Sequence, residues 1–154
     1  MSIERARKAL AKAGLEDRIL EFETSSATVE LAAEAVGCEP ARIAKTLSFA
    51  VDDRVALVVC AGDVRIDNPK FKAQFHTKAK MLPRDKAEER IGHGVGGVCP
   101  FGVEPCCDIY LDESLRRFDT VYPAAGNAAS AVRLSCEELE GACEGAAWVD
   151  VCTV

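Results

Sequence analysis

Residues 94–102 carry four glycines in nine positions and read Gly-Val-Gly-Gly-Val-Cys-Pro-Phe-Gly. Glycine loses more backbone entropy on folding than any other residue, so a folded chain keeps such a stretch where the backbone must turn through positive φ or approach a ligand closely. Pro100 has no N–H and stiffens the end of the stretch. We expect a fixed loop whose neighbouring N–H groups can face one acceptor oxygen. A tight turn between two strands explains the glycines equally well.

The glycine loop (residues 94–102) does not match the common nucleotide-binding patterns. No Gly-Lys-Ser/Thr follows it, and its spacing differs from the dinucleotide fingerprint. The chain also lacks the Gly-x-Ser-x-Gly elbow and the His-Glu-x-x-His zinc motif. With only two histidines, His76 and His93, a histidine-based triad is hard to build. A catalyst without a nucleophile or a metal can still act by positioning its substrate and by stabilising charge with preorganised backbone N–H groups.

The length of 154 residues predicts one domain, residues 1–154, with one sizeable core. Hydrophobic residues make up 49% and charged residues 29%, the composition of an ordinary globular protein. No apolar run approaches the roughly 20 residues of a membrane span. The N-terminal segment reads as an amphipathic helix and not as a signal peptide. These features predict a cytoplasmic protein with no membrane partner.

The eight cysteines do not indicate a disulfide framework, because the chain is long and has no export signal. Free cysteine behaves as a small apolar residue. His93, Cys99, Cys106 and Cys107 could gather around a metal, but structural zinc sites use paired short spacings that are missing here. No Cys-x-x-Cys pair supports a redox function. We expect no metal and no cofactor.

The net charge of −6 argues against a large nucleic-acid surface, and we expect no DNA partner. Between residues 68 and 84, however, the chain has no acidic residue. The basic side chains of this stretch are Lys70, Lys72, Lys78, Lys80 and Arg84, with His76. The stretch is either a solvated face or a landing surface for the end of an RNA.

Short strands alternate with helices along the chain. Capping residues and periodicity predict helices over 2–13, 29–36, 68–75, 83–92 and 135–140. Apolar and alternating runs predict strands over 18–23, 43–51, 55–61, 108–111, 120–123, 131–134 and 148–151. This order favours an α+β fold around a mostly antiparallel, curved sheet.

Two further segments accompany the glycine loop. Residues 41–49, Ala-Arg-Ile-Ala-Lys-Thr-Leu-Ser-Phe, place Lys45 alone in an apolar, strand-like run. Residues 122–127, Tyr-Pro-Ala-Ala-Gly-Asn, precede a short apolar strand. By itself Lys45 is typical of a strand-edge lysine that extends to water.

The order of a lysine on a strand, Gly-x-x-x-Pro from Gly96 to Pro100, and Ala-Ala-Gly before a strand resembles the YbaK/EbsC family of aminoacyl-tRNA deacylases. That family also occurs as the editing insertion of bacterial prolyl-tRNA synthetases. The resemblance covers roughly residues 22–134 and implies a mixed sheet curled into a partial barrel with flanking helices. It implies an enzyme that hydrolyses the ester of mischarged tRNA. Because the sequence shows no synthetase domain, we expect a free-standing enzyme that acts in trans. A pocket walled by Cys99, Val98 and small alanines would favour a small amino acid such as alanine, serine or cysteine. The implied partners are the aminoacyl-tRNA acceptor end and an aminoacyl-tRNA synthetase.

The resemblance also implies roles for individual residues. Lys45 would bind a phosphate of the terminal adenosine or the developing negative charge, and backbone N–H groups of Gly96, Gly97 and Val98 would hold the aminoacyl carbonyl. Water would attack that carbonyl, aided by a ribose hydroxyl of the substrate. The implied substrate-binding residues are Ser26, Thr28, Cys99, Pro100, Phe101, Gly102, Ala125 and Gly126.

Several alternatives stay open from the sequence. Helix capping also explains Ser26 and Thr28. Cys99 stands where the family has a small residue such as serine and could line the amino-acid pocket, whereas a thiolate there would need a nearby cation. His93 could face the loop, although a surface histidine is the simpler interpretation. A module of the same fold that binds aminoacyl-tRNA or a nucleotide without turnover is the alternative function.

Overall fold

Short helices and strands alternate in the computed structural model, which describes residues 2–94, 96–143 and 145–154. The helices are α1 (Ser2–Lys12), α2 (Val29–Val36), α3 (Asn68–Phe75), α4 (Ala87–Ile91) and α5 (Cys136–Ala142). The strands are β1 (Ile19–Glu21), β2 (Ile43–Val51), β3 (Arg54–Ala61), β4 (Arg65–Ile66), β5 (Cys107–Asp112), β6 (Tyr122–Pro123), β7 (Ser130–Val132), β8 (Ala147–Val149) and β9 (Cys152–Thr153). Single 3-10 turns occupy Glu16–Arg18, Pro40–Arg42, Arg84–Lys86 and Glu113–Arg117.

Capping residues explain where the helices begin and end. The Thr28 hydroxyl accepts from the Leu31 N–H at the start of α2, and Gly37 ends that helix at φ 83°. Ser135 forms a capping box with Glu138 at the start of α5. The sequence also favours Ser2 as the N-cap of the first helix, but Ser2 is the first residue of α1 and not its cap.

The main sheet has the strand order β6-β2-β3-β5-β8 and curls into a half-barrel. This confirms the predicted α+β class and its curved, mixed sheet. The expected excess of antiparallel pairs is wrong for this sheet. Only β2 and β3 pair antiparallel, while the other three pairs are parallel. The reason is that helices and long loops connect the parallel neighbours and return the chain in the same direction.

The outer edge of β2 is covered only in part. β6 pairs with Ile43 and Ala44 at one end of the strand. At the other end, the segment 80–82 covers the edge: the Lys80 carbonyl accepts from the Ala50 N–H (2.8 Å), and the Leu82 N–H donates to the Ser48 carbonyl (3.0 Å). Within the described residues, no strand covers residues 45–47 on this side. The gap exposes the middle of β2.

The core lies against β3, whose residues 55–61 are all nearly inaccessible to solvent. Phe49 and Phe71 pack at a centroid distance of 4.8 Å, and Phe75 extends the cluster to Tyr110. The longest described helix, α1, has 11 residues, and none in the described ranges qualifies as a membrane span.

Candidate active site

A cavity of about 370 Å³ opens at the uncovered edge of β2. Its size falls in the range of small-molecule sites, roughly 300–1,000 Å³. Lys45 and Arg84 line it, and the described lining residues include no carboxylate. The cavity therefore favours a ligand that carries or develops negative charge. The remaining walls come from α2, residues 81–87, the glycine loop and residues 122–131.

The Lys45 ammonium is held by a turn of the main chain. Its Nζ donates to the carbonyl of Val64 and, at 3.5 Å, to the carbonyl of Gly62. An ammonium has three N–H donors, so one donor stays available to a ligand in the cavity. The strand-edge interpretation of Lys45, with its end in bulk water, does not describe this environment.

The turn that holds Lys45 is itself tightly placed. A Cβ at Gly62 would lie 2.1 Å from the Pro40 carbonyl oxygen, which leaves room only for glycine. Between Gly62 and Val64, Asp63 accepts two hydrogen bonds from the Arg117 guanidinium. This bond holds the pKa of Asp63 below its usual range. The ammonium position is thus fixed by contacts distant in sequence.

Thr46 lies beside Lys45 and was missed by the sequence reasoning. Its Oγ1 is buried, lines the cavity, and has no hydrogen-bond partner among the described residues. Main-chain groups of alternate strand residues point to the same side, so the N–H and C=O of Thr46 face the open edge as those of Ser48 do. A buried hydroxyl without a partner costs about 1–3 kcal/mol. A polar group of a ligand would relieve this cost.

The glycine loop reaches the cavity through Gly96 and Val98. Gly96 adopts φ +90°, and a Cβ at Gly97 would lie 2.6 Å from the Asn127 main chain. The positive φ expected for a glycine-rich loop is therefore confirmed, and the close approach at Gly97 is to the main chain of residues 126–127. The contact also brings the loop against Gly126, which has φ +98°. Val95 lies outside the described residues.

The main-chain donors of the loop differ in availability. The Gly97 N–H donates to the Gly94 carbonyl at 3.0 Å, so it is engaged within the loop. Among the described residues, none accepts a hydrogen bond from the N–H groups of Gly96 and Val98. These two groups are the candidates for binding a ligand oxygen.

Ser26, Thr28 and Ala125 stand at the edge of the site in supporting positions. The Ser26 Oγ accepts from the Ser130 N–H (3.0 Å) and donates to the Ser130 carbonyl. Thr28 caps α2, so its hydroxyl is engaged too. Ala125 is fully buried, and its N–H donates to the Ser130 Oγ. Ser26 and Thr28 line the cavity, whereas Ala125 and Gly126 lie behind it.

The second half of the loop points away from the cavity. Cys99, Pro100 and Phe101 are buried, and Pro100 and Gly102 line a separate cavity of about 430 Å³ beside α1. The expected cavity contacts of these four residues are absent from the described lining. Burial raises the pKa of the Cys99 thiol to about 12, which excludes a thiolate at neutral pH.

His93 and the cysteines also depart from simple expectations. His93 is fully buried, so its interpretation as a surface histidine is wrong. All eight cysteines are free. Within the described ranges, no group of three or more His, Cys, Asp or Glu side chains is placed to hold a metal ion. Cys106 and Cys107 contact the Arg90 carbonyl, apart from the His93–Cys99 pair.

Comparisons with known proteins cover nearly the whole chain. The model of the aminoacyl-tRNA editing domain matches residues 23–142. The uncharacterized protein YwhH of Bacillus subtilis (strain 168) is 47% identical over 153 residues, which are 99% of this chain and 98% of YwhH. A proline–tRNA ligase of Bacillus velezensis is 26% identical over 90 residues, 58% of this chain and 16% of the ligase.

Solved structures extend the match to the fold. A candidate trans-editing enzyme for prolyl-tRNA synthetase superposes with a TM-score of 0.89 at 28% identity, covering 99% of this chain and 98% of that one. The hypothetical protein APE2540 gives a TM-score of 0.87 at 27% identity, covering 97% and 99%. Because the family model spans most of the sequence, and YwhH matches over nearly the full length of both chains, the chain belongs to the aminoacyl-tRNA editing domain family.

Proposed function

We propose that the protein is a free-standing deacylase that hydrolyses, in trans, the ester of a mischarged tRNA carrying a small amino acid. The observation that carries the proposal is the meeting of Lys45, Gly96 and Val98 at one cavity in an editing-domain chain. An aminoacyl ester develops negative charge on its carbonyl oxygen when water attacks. The cavity has cations and unengaged N–H groups, which stabilise such charge.

In the proposed reaction, the ester carbonyl lies beside the N–H groups of Gly96 and Val98. The oxygen of a water molecule attacks the carbonyl carbon, with a ribose hydroxyl of the substrate as an aid. The bond from that carbon to the ribose oxygen then breaks, and the ribose oxygen takes up a proton. Lys45 stabilises the oxyanion or holds a phosphate of the terminal adenosine. The products are a free amino acid and an uncharged tRNA.

The small residues in the cavity lining support a small side chain on the substrate. Beside Val98, its lining includes several alanines: Ala27, Ala32, Ala44, Ala87, Ala124 and Ala131. Small walls alone discriminate weakly, because one methylene is worth about 1–3 kcal/mol. Alanine, serine and cysteine are therefore the side chains we propose, with an aminoacyl-tRNA synthetase in the cytoplasm as the source of the mischarged tRNA.

A non-catalytic binding module is the alternative, and turnover separates the two. With mischarged tRNA in tenfold molar excess, a deacylase releases amino acid from all of the substrate. A binding module shields at most one equivalent of the ester and releases none faster than the protein-free reaction does. Release no faster than in the protein-free reaction would favour the module.

The basic stretch gives a prediction about the RNA. Lys72, Lys78 and Lys80 are exposed, and none of them forms an ion pair with another described residue. Lys70 is excluded, because it donates to Asp150 at 3.0 Å. If the three lysines contact phosphates, replacing all three with alanine should lower the log–log salt slope of tRNA binding by about 0.7–0.9 per contact.

The control for this triple variant removes equal charge elsewhere, at the exposed cations Lys8, Lys12 and Arg133. Turnover of a short aminoacyl-nucleotide should hardly change in either variant, since it lacks the phosphates of the acceptor stem. Equal salt slopes for the wild type and the lysine variant would make the stretch an ordinary solvated face.

We also predict that deacylation needs no metal ion. The proposed site stabilises charge with an ammonium and backbone donors, which do not depend on a cation. Turnover should stay unchanged after treatment with EDTA and dialysis. Loss of activity with a chelator, restored by stoichiometric zinc, would contradict this prediction.

A further inference from the structure

His93 lies directly before the glycine loop and contacts the end of it. The ring is fully buried, and its Nε2 lies 2.6 Å from the carbonyl oxygen of Phe101, eight residues along the chain. The Cys99 Sγ lies 3.5 Å from the same nitrogen. The contact therefore joins the start of the loop to its end.

This contact fixes the tautomer of the neutral ring. A carbonyl oxygen only accepts, so Nε2 must carry the hydrogen and donate it. Nδ1 is then an unprotonated acceptor, and it is buried with no hydrogen-bond partner among the described residues. A proton added at Nδ1 would place a charge and an unpartnered N–H in the interior.

The groups around the ring also oppose protonation. From α1, the Arg5 guanidinium donates to the Gly102 carbonyl (2.8 Å) and pairs with Glu104. Burial is the main cause that lowers the pKa of His93; the hydrogen bond to the Phe101 carbonyl acts in the opposite direction, and the Arg5 charge adds to the lowering. The thiols of Cys99 and of Cys143 stay neutral, because burial raises the pKa of each.

We propose that His93 is a positioning residue: as the neutral Nε2–H ring it holds the loop so that the N–H groups of Gly96 and Val98 face the cavity, and its protonation releases the loop. The inference rests on the proposed function for its effect on turnover. The coupling of His93 to the conformation of the loop does not depend on the proposed function and can be measured without an activity assay. His93 itself is not among the described residues that line the cavity.

The sign of the pH dependence follows from the lowered pKa. The folded chain binds this proton less readily than the unfolded chain, whose histidine titrates near pH 6.5. The stabilisation is present above about pH 6.5 and is lost as the pH falls through the folded pKa. We therefore expect the melting temperature to begin to fall below about pH 6.5, and the deacylation rate to fall at lower pH, where the ring of the folded chain takes up its proton.

Two substitutions distinguish the hydrogen bond that the His93 ring donates from the protonation of that ring. In His93→Gln, the amide N–H can still donate to the Phe101 carbonyl but does not titrate. In His93→Leu, no donor remains. The control is His76→Gln, since His76 is exposed. Single-turnover rates between pH 5.5 and 8, KM, melting curves and ¹H–¹⁵N spectra of the loop glycines are measured for each.

We expect His93→Gln to keep its rate within about threefold of wild type at pH 8 and to lose the acidic fall. His93→Leu should lower the rate at least tenfold at pH 8, with KM changed less. An acidic fall that persists unchanged in His93→Gln, or a wild-type rate in folded His93→Leu, would overturn the proposal.

The spectra keep the inference testable if no mischarged tRNA is hydrolysed, which would refute the proposed function alone. In wild type, the amide signals of Gly96 and Gly102 should shift as the pH falls below about 6.5, and the shift should be absent in His93→Gln. Equal shifts in both proteins would refute the coupling of His93 to the loop.

Discussion

Replacing Lys45 with alanine is expected to lower the single-turnover deacylation rate by about 10²–10³-fold, the loss seen when one preorganised charge-stabilising donor is removed. The reason is that Lys45 lines the cavity and its ammonium is held by two main-chain carbonyls, which leaves one of its three N–H donors for a ligand. Stability should fall by only about 1 kcal/mol, because the carbonyls of Gly62 and Val64 each lose one donor. Single-turnover rates test the expected loss of activity, and melting curves test the expected loss of stability.

The control for Lys45→Ala is Lys8→Ala, which removes an exposed lysine of α1. Lys45→Arg keeps the charge but changes the donor geometry, so it should recover only part of the rate. A folded Lys45→Ala protein with the wild-type rate would remove Lys45 from the site.

Gly96→Ala is expected to reduce the rate by about 10²-fold, because small displacements of positioned groups have effects of this size. Gly96 has φ +90°, and an alanine Cβ would lie 3.3 Å from that of Ala128 and 3.5 Å from that of Ala27. The backbone strain is about 1–2 kcal/mol. Binding should weaken less than turnover, since the N–H groups matter most when charge grows on the carbonyl oxygen.

Gly14→Ala is the matched control, because Gly14 has φ +74° with nothing within 4 Å of the added Cβ. It should melt lower, as Gly96→Ala does, and keep its activity. Gly97→Ala is less informative, since its Cβ would collide with the Asn127 main chain and lower stability as well. If Gly96→Ala and Gly14→Ala had equal rates, the loop would be a plain turn.

Helix-capping and turn residues in the sequence predicted the bounds of the helices and turns that they form. The bounds of α2 agree with its cap at Thr28 and its end at Gly37, and the β2–β3 hairpin turns where Asp52 adopts φ 55°. The parallel pairings were not predicted, because strand neighbours are chosen by packing across the whole chain. No local pattern shows whether a strand beyond a connecting helix lies parallel or antiparallel to its neighbour.

The candidate site was predicted in part for the same reason. Lys45 and Gly96 stand out in the sequence as a lone cation and a glycine, and both line the cavity. The orphaned hydroxyl of Thr46 and the burial of His93 result from contacts between distant segments. Cys99 follows Val98 directly, yet the turn of the loop points its side chain into the core, away from the cavity.

The most direct test of the proposed activity is a deacylation panel with the wild-type protein. Purified tRNAs carrying alanine, serine, cysteine or a large residue such as leucine are followed with substrate in excess, beside protein-free reactions. We predict multiple-turnover hydrolysis of at least one small aminoacyl ester and little acceleration for leucine. If the folded protein hydrolyses every ester no faster than the protein-free reaction, the deacylase assignment is contradicted.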